Sequence, residues 1–294
     1  MIDLSVIIVN WNTKKLLLEC LDSVDKQTQG INYEIIVVDN GSTDGSMEAI
    51  RNTQYEIRNL IIIENKKNLG FAKANNQGIK VAQGKYILLL NTDTKIVDNA
   101  LKKLIDFADS KSNLGVVGPK LLNRDGSAQP STAPFFTLAN AFLWLFTGDH
   151  FLYSSPKSAS RTDWVMGSAF LVKRGVIDKV GFLDEKFFMY VEEQEWCYRI
   201  KKAGFEVWFY PGAEIYHLVR GSSLGGRQGK KGAILNIYRG LIYFYGKHFA
   251  SWQLLVLKFF LLTKAAIAWL VGWLLRNEYL RNTYGKAFKV ACHV

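Results

Sequence analysis

The chain has 294 residues, of which 49% are hydrophobic, and a formal net charge of +11. This length suffices for one large α/β domain with an appendage, or for two modest domains, and a sizeable buried core is expected. The three cysteines, Cys20, Cys197 and Cys292, are widely separated and lack CxxC spacing, which excludes a disulfide framework and a cysteine zinc site and fits a reducing compartment.

The positive charge is concentrated at the C-terminal end. Residues 220–294 contain 12 Lys and Arg side chains and one acid, Glu278, whereas residues 1–219 contain 25 of each sign. The basic segment is also rich in aromatic and aliphatic residues, a combination that favours an anionic membrane surface. Nucleic acid is therefore not expected as a partner. The N-terminus has no basic stretch before an apolar run, so the sequence predicts no secretion signal.

The N-terminal half alternates short apolar runs with helical periodicity. Strands are predicted at residues 4–9, 34–38, 60–64 and 86–90, with helices at 14–24 and from Ser46 onward. This alternation indicates an α/β fold with a mostly parallel sheet covered on both faces. Ligands of such sheets bind beyond the carboxyl ends of the strands, and Asn, Asp and Gly residues concentrate there in this sequence.

The middle of the chain is less regular. Residues 123–131 are rich in turn formers, and residues 135–151 are compatible with either a helix or a flap over the site. Further strands are predicted at 164–172 and 207–210, and a helix at 194–203 is closed by Gly204. The glycines and bases of 221–232 predict a mobile loop, and together with Arg220 they suggest a lid over a bound diphosphate or, alternatively, a solvated basic loop.

Two helices are predicted near the C-terminus, at residues 233–249 and 254–275. The second is long enough to cross a bilayer, but Lys258 and Lys264 interrupt it. Helices lying in the membrane interface are therefore favoured over a true span. A helical pair packed on the rest of the protein without lipid contact remains the alternative.

Asp39 stands directly after an apolar strand and opens a polar loop. A carboxylate there can accept the imide N–H of uracil or thymine. The same group can instead cap a turn, and Ser42 and Asp44 fit that simpler role before the helix at Ser46. The Asn and Gly residues at 68–76 offer close backbone approach and amide groups, although such loops often serve only as turns.

Four motifs of the chain occur in the order found in a known family. They are V-I-I-V-N-W-N at residues 6–12, V-V-D-N-G-S-T-D-G at 37–45, N-L-G-F-A at 68–72 and E-E-Q-E-W-C-Y-R at 192–199. Together they resemble an inverting family 2 glycosyltransferase with a GT-A fold, in its rhamnosyltransferase-like branch, over residues 3–220. The resemblance implies a catalytic domain at 1–220 and a basic helical segment at 221–294.

The resemblance also implies where a nucleotide-sugar donor binds, since the family places the acid at Asp39 on the base. The nucleotide-binding residues expected from it are Asn10, Asn12, Asp39, Asn40, Ser42, Asn68, Gly70, Phe71, Asn76, Asn91, Thr92 and Asp93. Asn91, Thr92 and Asp93 stand where the family often has Asp-x-Asp, so only the second acid is kept. A diphosphate leaving group calls for Mg²⁺ or Mn²⁺. Asp93 and His217 are the expected metal contacts, although a lone His is often structural.

The block at 192–199 implies the general base. The family has Glu-Asp before this helix, and the Asp position is Glu193 here. Inversion needs one carboxylate opposite the leaving diphosphate to deprotonate the acceptor hydroxyl. The simpler interpretation is that Glu192, Glu193 and Glu195 stabilise a helix N-terminus electrostatically, and that Glu195 pairs with Arg199. We accept this interpretation for Glu195 and reject it for Glu193. The expected acceptor-binding residues are Trp164, Gly167, Ser168 and Glu192.

The sequence thus predicts a metal-dependent glycosyltransferase that moves a sugar, with rhamnose as one candidate, from a UDP- or dTDP-sugar to a hydroxyl. The expected acceptor is a saccharide or a polyprenyl-linked saccharide in cell-surface polysaccharide synthesis, at the cytoplasmic face of the membrane. The alternative is a non-catalytic scaffold that binds sugar nucleotides, because the chain departs from the family at Asn91 and Glu193. A nucleic-acid-binding protein is a third, weaker hypothesis.

Overall fold

A computed structural model of the chain describes residues 1–52, 59–148, 152–218 and 226–293. Ten helices lie within these residues: α1 (Lys14–Gln27), α2 (Ser46–Asn52), α3 (Phe71–Val81), α4 (Ala100–Asp109), α5 (Leu138–Thr147), α6 (Arg174–Val180), α7 (Glu192–Lys202), α8 (Gly226–His248), α9 (Ser251–Leu274) and α10 (Glu278–His293). The main strands are β1 (Leu4–Asn10), β2 (Tyr33–Asp39), β3 (Leu60–Glu64), β4 (Tyr86–Asn91), β5 (Thr94–Ile96) and β6 (Leu114–Leu122). They are followed by β7 (Ala128–Gln129), β8 (Thr132–Ala133), β9 (Ser160–Arg161), β10 (Trp164–Val165), β11 (Ala169–Lys173) and β12 (Glu206–His217).

The main sheet has the order β3-β2-β1-β4-β11-β6-β12-β5, with β7 and β9 attached at its side. The four strands from β3 to β4 are parallel, and β12 is parallel to β6. β11 runs antiparallel to both of its neighbours. The expected α/β sheet is therefore present, and its mixed character comes from the antiparallel β11 at the centre, which the sequence did not indicate.

Hydrophobic cores form on both faces of the sheet, as expected for strands with continuous apolar runs. The helix α1 turns Leu17, Leu21 and Val24 toward one core at helical spacing. On the other face, α3 and α7 contribute small and aromatic side chains, among them the fully buried Trp196. The helices thus fix the strands in position and leave their carboxyl ends free for a binding site.

The register of the parallel strands places their polar ends side by side. Asn10 pairs with Asp39 at the ends of β1 and β2, and Asn91 pairs with Val9 at the end of β4. Because a parallel sheet aligns all its carboxyl ends at one edge, these polar residues are neighbours without any special loop.

The strand predicted at 164–172 is interrupted. β10 pairs with β8 in a small separate sheet, while β11 joins the main sheet. The two strands belong to different sheets, so the chain turns between them at Met166, Gly167 and Ser168. This correction matters for function, because the turn brings Gly167 and Ser168 to the large cleft described below.

The C-terminal part differs from the prediction in two respects. Residues 226–232 belong to the helix α8, so the predicted mobile loop is wrong there, while Arg220 and residues 221–225 lie outside the described residues. A third helix, α10, follows the two that the sequence indicated. It was missed because it buries small or polar residues, Thr283, Ala287 and Ala291, which give no strong apolar signal.

The segment at 135–151 forms the helix α5, which settles the choice between a helix and a flap for its described residues. The Thr137 hydroxyl oxygen accepts a hydrogen bond from the backbone N–H of Asn140 and so caps the N-terminus of the helix. Together with α8, α9 and α10, α5 builds a third hydrophobic core that also includes Phe187 and Val191 from the segment before α7. The division at residue 220 stays a prediction.

The helix α9 buries only one narrow stripe, formed by Leu257, Leu261 and Ala265. It is the one helix among the described residues that is long and apolar enough to cross a membrane by length and composition. Lys264 lies on α9, and its ammonium is 5.9 Å from the centre of the Phe146 ring of α5. The helix therefore directs this charge toward its neighbour.

A buried ion network joins α7 to α8. The Glu195 carboxylate is fully buried and accepts hydrogen bonds from Arg199, Lys247 and His248, each at 2.9 Å. The pairing of Glu195 with Arg199 that the sequence suggested is thus observed. Lys247 also donates to Asp184 at 2.6 Å, which extends the network to the loop before α7. The network therefore connects the third core electrostatically to α7 and to the loop that precedes it.

Replacing Glu195 tests this connection. Glu195→Gln removes the buried carboxylate charge that Arg199 and the partly exposed Lys247 share, so we expect the free energy of unfolding to fall by about 2 kcal/mol. Glu19→Gln is the matched control, because Glu19 faces Lys15 at 3.9 Å on the surface and is expected to cost less than about 0.5 kcal/mol. Urea denaturation measures both variants. Equal, small losses in the two would contradict the role given to Glu195.

Candidate active site

A cleft of about 540 Å³ lies at the carboxyl edge of β4. One end is polar and brings together side chains from four separate elements: Asp93 after β4, Ser168 before β11, Glu193 on α7 and His217 at the end of β12. The walls continue into an apolar part formed by α5, α8 and α10. The cleft is thus a meeting point of the sheet and the C-terminal helices.

The loops after β1 and β2 form one hydrogen-bonded unit beside this cleft. The Asn10 amide donates to Asp39 Oδ1 at 2.9 Å and to the Ser42 hydroxyl at 3.0 Å. The other oxygen of Asp39 accepts the backbone N–H groups of Gly41 and Ser42. Asn12 completes the unit by accepting the Thr43 N–H at 2.7 Å.

Asp39 is therefore a turn-capping residue, as the simpler interpretation required. Its two oxygens offer about four acceptor sites and use three of them in the loop, which leaves capacity for one further donor. Base recognition by Asp39 stays a prediction on that basis. Asp44 caps the following helix through the Ser46 N–H at 3.1 Å and also accepts the Lys14 N–H at 2.8 Å.

A second unit joins the loop before α3 to the segment before α7. Asn40 donates to Asn68 and to the Gly70 carbonyl, both at 3.2 Å. The Phe71 N–H then donates to the Phe188 carbonyl at 2.7 Å. Gly70 has φ of +88°, and a Cβ there would lie 2.5 Å from the Phe188 carbonyl oxygen. Only glycine permits this approach, so Gly70 positions the start of α7 against the nucleotide-side loops.

The Asp93–His217 pair is ordered by a residue that the sequence did not single out. His217 Nδ1 lies 2.6 Å from Gln129 Oε1, while the Gln129 amide nitrogen donates to Asn123 at 2.9 Å. Gln129 therefore presents an acceptor to Nδ1, so Nδ1 is the donor of this hydrogen bond. The other ring nitrogen, Nε2, faces Asp93 Oδ1 at 3.3 Å. A cation bound between Nε2 and Asp93 Oδ1 would contact both atoms.

This donor set fits a divalent cation in part. A carboxylate oxygen and an imidazole nitrogen are both suitable ligands for Mn²⁺, and an outer hydrogen bond to the His is typical of metal sites. Across the described ranges there is no group of three or more His, Cys, Asp or Glu side chains arranged for a metal. The protein would thus supply two ligands and leave the others to a phosphate and water.

The start of α7 carries an unusual concentration of buried polar groups. The preceding residues Tyr190 and Val191 both have φ of +73°, a conformation that is strained for Val in particular. Glu193 lies at the cleft, where the Gly167 N–H bonds its carboxylate. Within the described part of the chain, the second oxygens of Glu192 and Glu193 have no hydrogen-bond partner.

Both carboxyls at the start of α7 have shifted acidities. Burial raises the pKa of Glu193, an effect that the Gly167 N–H partly opposes. Burial also raises the pKa of Glu192 well above its ordinary value, and the charge of Glu193 raises it further. Two adjacent carboxyls in such surroundings favour one shared negative charge, with the proton held mainly on Glu192. Glu193 is then the member that presents an anionic oxygen to the cleft.

Gln194 is the second residue that the sequence analysis missed. It is 1% exposed and lines the cleft, and neither its amide nitrogen nor its amide oxygen has a partner among the described residues. Leaving both ends of a buried amide unpaired costs free energy, which a ligand with hydroxyl groups would recover. Gln194 lies inside the motif at 192–199, but its burial without partners is visible only in the structure.

The other predicted site residues divide into three groups. Phe71, Asn91, Trp164, Gly167 and Ser168 line the cleft, as do Asp93, His217 and Glu193. Thr92 is buried beside it, 3.0 Å from the Thr13 hydroxyl. Asn76 and Glu192 are not at the cleft: the Asn76 amide is committed to the Leu183 backbone on both sides, and Glu192 is 3% exposed. We therefore do not carry Asn76 or Glu192 forward as ligand contacts.

Residues 5–178 match the family model described as Glycosyl transferase family 2. A relative in Haloferax volcanii, named low-salt glycan biosynthesis hexosyltransferase Agl10, is 29% identical over 210 residues, covering 70% of this chain and 64% of the relative. A Mycobacterium tuberculosis relative, named N-acetylglucosaminyl-diphospho-decaprenol L-rhamnosyltransferase, is 26% identical over 204 residues, covering 62% of this chain and 66% of the relative. The matched region therefore spans just under two thirds of each relative.

Two solved structures show the same fold. GalNAc-T7 with UDP, GalNAc and Mn²⁺ has a TM-score of 0.62 at 18% identity, over 83% of this chain and 50% of that one. The mannosyltransferase PcManGT from Pyrobaculum calidifontis, in complex with GDP-Man and Mn²⁺, has a TM-score of 0.59 at 16% identity, over 98% of this chain and 85% of that one. Identities this low support the fold alone.

The raised pKa of Glu192 predicts a pH-dependent gain in stability on its removal. Between the ordinary pKa of about 4.3 in the unfolded chain and the raised value in the fold, the folded chain binds more protons, so stability falls as pH rises. Glu192→Gln should therefore raise the free energy of unfolding relative to wild type more at pH 8 than at pH 4. Urea titrations at the two pH values measure this, with the exposed Glu48→Gln as control. The same difference at both pH values would contradict the assignment.

Proposed function

The chain belongs to glycosyltransferase family 2, and we propose that it transfers a sugar from a nucleotide diphosphate donor to an acceptor hydroxyl, with inversion at the anomeric carbon. One observation carries the proposal: a single cleft contains the Asp93–His217 pair and, from a different element, the Glu193 carboxyl. Transfer with inversion needs these two functions on opposite sides of one carbon atom.

The loops after β1 and β2 are the proposed binding site for the nucleoside. Asp39 retains one acceptor site for the imide N–H of a pyrimidine base, while Asn10 and Ser42 hold its carboxylate in place. Asn12, Asn40, Asn68 and Gly70 act by shaping these loops. Because the loops are preorganised by their own hydrogen bonds, donor binding would require little ordering of the backbone.

The diphosphate would lie at the Asp93 end of the cleft. Asp93 and His217 would hold Mg²⁺ or Mn²⁺, whose charge would neutralise the leaving diphosphate. Gln129 keeps the Nε2 lone pair of His217 directed at this position. Both solved structures contain Mn²⁺ and a nucleotide, which supports the proposal that this chain binds its donor together with a divalent cation.

Glu193 is the proposed general base. Its carboxylate accepts the proton of the acceptor hydroxyl as the oxygen forms a bond to the anomeric carbon, while the bond from that carbon to the diphosphate oxygen breaks and its electron pair leaves with the nucleoside diphosphate. Burial raises the pKa of Glu193, which makes its carboxylate a stronger base than an exposed one. The strained backbone before α7 holds this carboxylate in the cleft.

The acceptor would enter past Trp164, Gly167 and Ser168. Gly167 lies against the base, since a Cβ there would lie in van der Waals contact with Glu193 Oε1 at 3.4 Å. The Trp164 N–H is already bonded to the Pro134 carbonyl at 3.0 Å, so this residue contributes shape and not a polar contact. The mycobacterial relative, by its name, acts on a decaprenol-linked sugar, which supports a lipid-linked saccharide as acceptor in glycan synthesis and leaves rhamnose as a candidate sugar.

We propose that the protein works at the cytoplasmic face of a membrane. The helix α9 exposes Leu255, Phe259 and Leu270, each more than half accessible. On α10, the exposed Phe288 stands among the exposed bases Lys286 and Lys289, an arrangement suited to anionic headgroups.

Glu193→Gln tests the proposed function. The change keeps the size of the side chain and removes the proton acceptor, so we expect sugar transfer to fall by about 10²–10⁴-fold. Nucleotide binding with Mn²⁺, measured by calorimetry with UDP and dTDP, should be unchanged because Glu193 does not touch the nucleotide. Wild-type protein that binds donor but transfers nothing to any acceptor would instead identify a sugar-nucleotide-binding scaffold.

Gln194→Met separates ligand recognition from stability. Methionine has nearly the same shape and removes two unpaired buried polar atoms, so the free energy of unfolding should rise by about 1 kcal/mol. Transfer should fall by about three- to tenfold, because one hydrogen bond to a sugar hydroxyl is lost. Denaturation and initial-rate measurements on one preparation check both. A destabilised variant with unchanged transfer would contradict this assignment.

A further inference from the structure

The lining of the cleft extends beyond the residues that the proposed chemistry uses. Beyond Glu193 it continues into an arm whose walls include Phe136, Trp144, Ile234, Ile237 and Tyr279. We propose that this apolar arm binds the hydrocarbon chain of a lipid-linked acceptor, with the saccharide held at Glu193. The inference rests on the proposed function, from which it takes the lipid-linked acceptor. It adds the place where the hydrocarbon chain of that acceptor lies.

The lining of the arm suits a hydrocarbon. The carboxylate and imidazole groups of the described cleft lining are those of Asp93, Glu193 and His217, all at the polar end, and none belongs to α5, α8 or α10. The helix α8 presents Ile234 and Ile237, which are three residues apart and so lie on one face. A saccharide would leave hydroxyl groups without hydrogen-bond partners along such a wall. An alkyl or isoprenoid chain has no polar groups and therefore loses no hydrogen bonds there.

The helix α5 separates this arm from the exposed apolar surface of α9. Trp144 lines the arm and contacts Phe136 with ring centres 5.3 Å apart. Two residues earlier, Phe142 contacts Phe260 of α9, also at 5.3 Å. One side of α5 thus faces the arm and another faces α9.

The apolar surface outside the arm is continuous across α5 and α9. Phe142 and Leu143 are exposed on α5, and Phe259, adjacent to Phe260, is exposed on α9. An exposed apolar surface that extends over two helices indicates contact with lipid or with another protein. Lipid is favoured here because α9, which carries part of this surface, is long and apolar enough to cross a membrane by length and composition. Only the helix α5 therefore lies between the arm and the apolar surface against which a bilayer would lie.

The arm also has fixed walls. Tyr238, Leu241 and Tyr245 of α8 are buried in the third core, and the Tyr245 hydroxyl donates to the Phe136 carbonyl at 2.7 Å. The Glu195 network attaches α8 to α7, the helix that carries Glu193. Because the same helix pair carries the arm and the base, a chain bound in the arm would place its attached sugar at a set distance from Glu193.

Photolabelling tests the proposal with a defined probe. The probe is N-acetylglucosaminyl diphosphofarnesol with a diazirine at the distal end of its farnesyl chain, and labelled peptides are mapped by mass spectrometry. We expect labels on α5, α8 and α10 around Trp144, Ile237 and Tyr279. Unlabelled probe should compete, and the same headgroup on a methyl group should not. Labels confined to the exposed face of α9, or full competition by the methyl compound, would overturn the proposal.

Two variants make the test specific. Ile237→Trp fills the arm, so labelling there should fall by roughly tenfold. Phe259→Ser changes only the exposed surface and should leave the arm labels unchanged in detergent. Unchanged binding of UDP with Mn²⁺ verifies that each variant is folded. Undiminished labelling of a folded Ile237→Trp variant would overturn the proposal.

Labelling needs no turnover, so the two proposals fail separately. Glu193→Gln that transfers normally would contradict the proposed base and leave the labelling result valid. Conversely, normal catalysis on the methyl compound, at the rate measured for the farnesyl compound, would contradict the arm and leave the transferase assignment in place.

Discussion

The in-register pairing of parallel strands at one edge of the sheet is the constraint on which the rest of the structure depends. Because β1 pairs with both β2 and β4, the residues that end these strands, Asn10, Asp39 and Asn91, are placed together by the backbone itself. The loops that follow then need only short hydrogen bonds to complete a binding surface. Both hydrophobic cores act to maintain this edge.

The second constraint is the attachment of α7 to that edge. The Phe71 N–H to Phe188 carbonyl hydrogen bond, permitted by the missing side chain of Gly70, fixes the segment that precedes α7. The Glu195 network fixes the helix from its other side. Between these two anchors lie strained backbone and several buried carboxyl and amide atoms that have no hydrogen-bond partner among the residues that the structure describes. Structures tolerate such costs where a ligand completes the set, so the start of α7 is where we place the chemistry.

Much of this could be predicted from the sequence, for identifiable reasons. The apolar β-branched strands have an unambiguous pattern, and the polar residues at their ends, among them Asp39 and Asp93, mark the edge of the sheet where we expect ligands to bind. Gln129 could not be found, because it acts through His217, which is 88 residues away in sequence. Gln194 lies inside a motif, but its significance depends on burial without partners among the described residues. For Asn76 the sequence pattern suggests a ligand contact, whereas in the structure its side-chain amide bonds to the backbone of Leu183, 107 residues away in sequence.

The most direct test of the account is the position of the cation in crystals grown with UDP and Mn²⁺, located by its anomalous scattering. The account predicts one Mn²⁺ bound to an Asp93 oxygen, to His217 Nε2 and to the diphosphate, with the Glu193 carboxylate across the cleft from the phosphates. A Mn²⁺ bound away from both Asp93 and His217, or a diphosphate lying against Glu193, would contradict it.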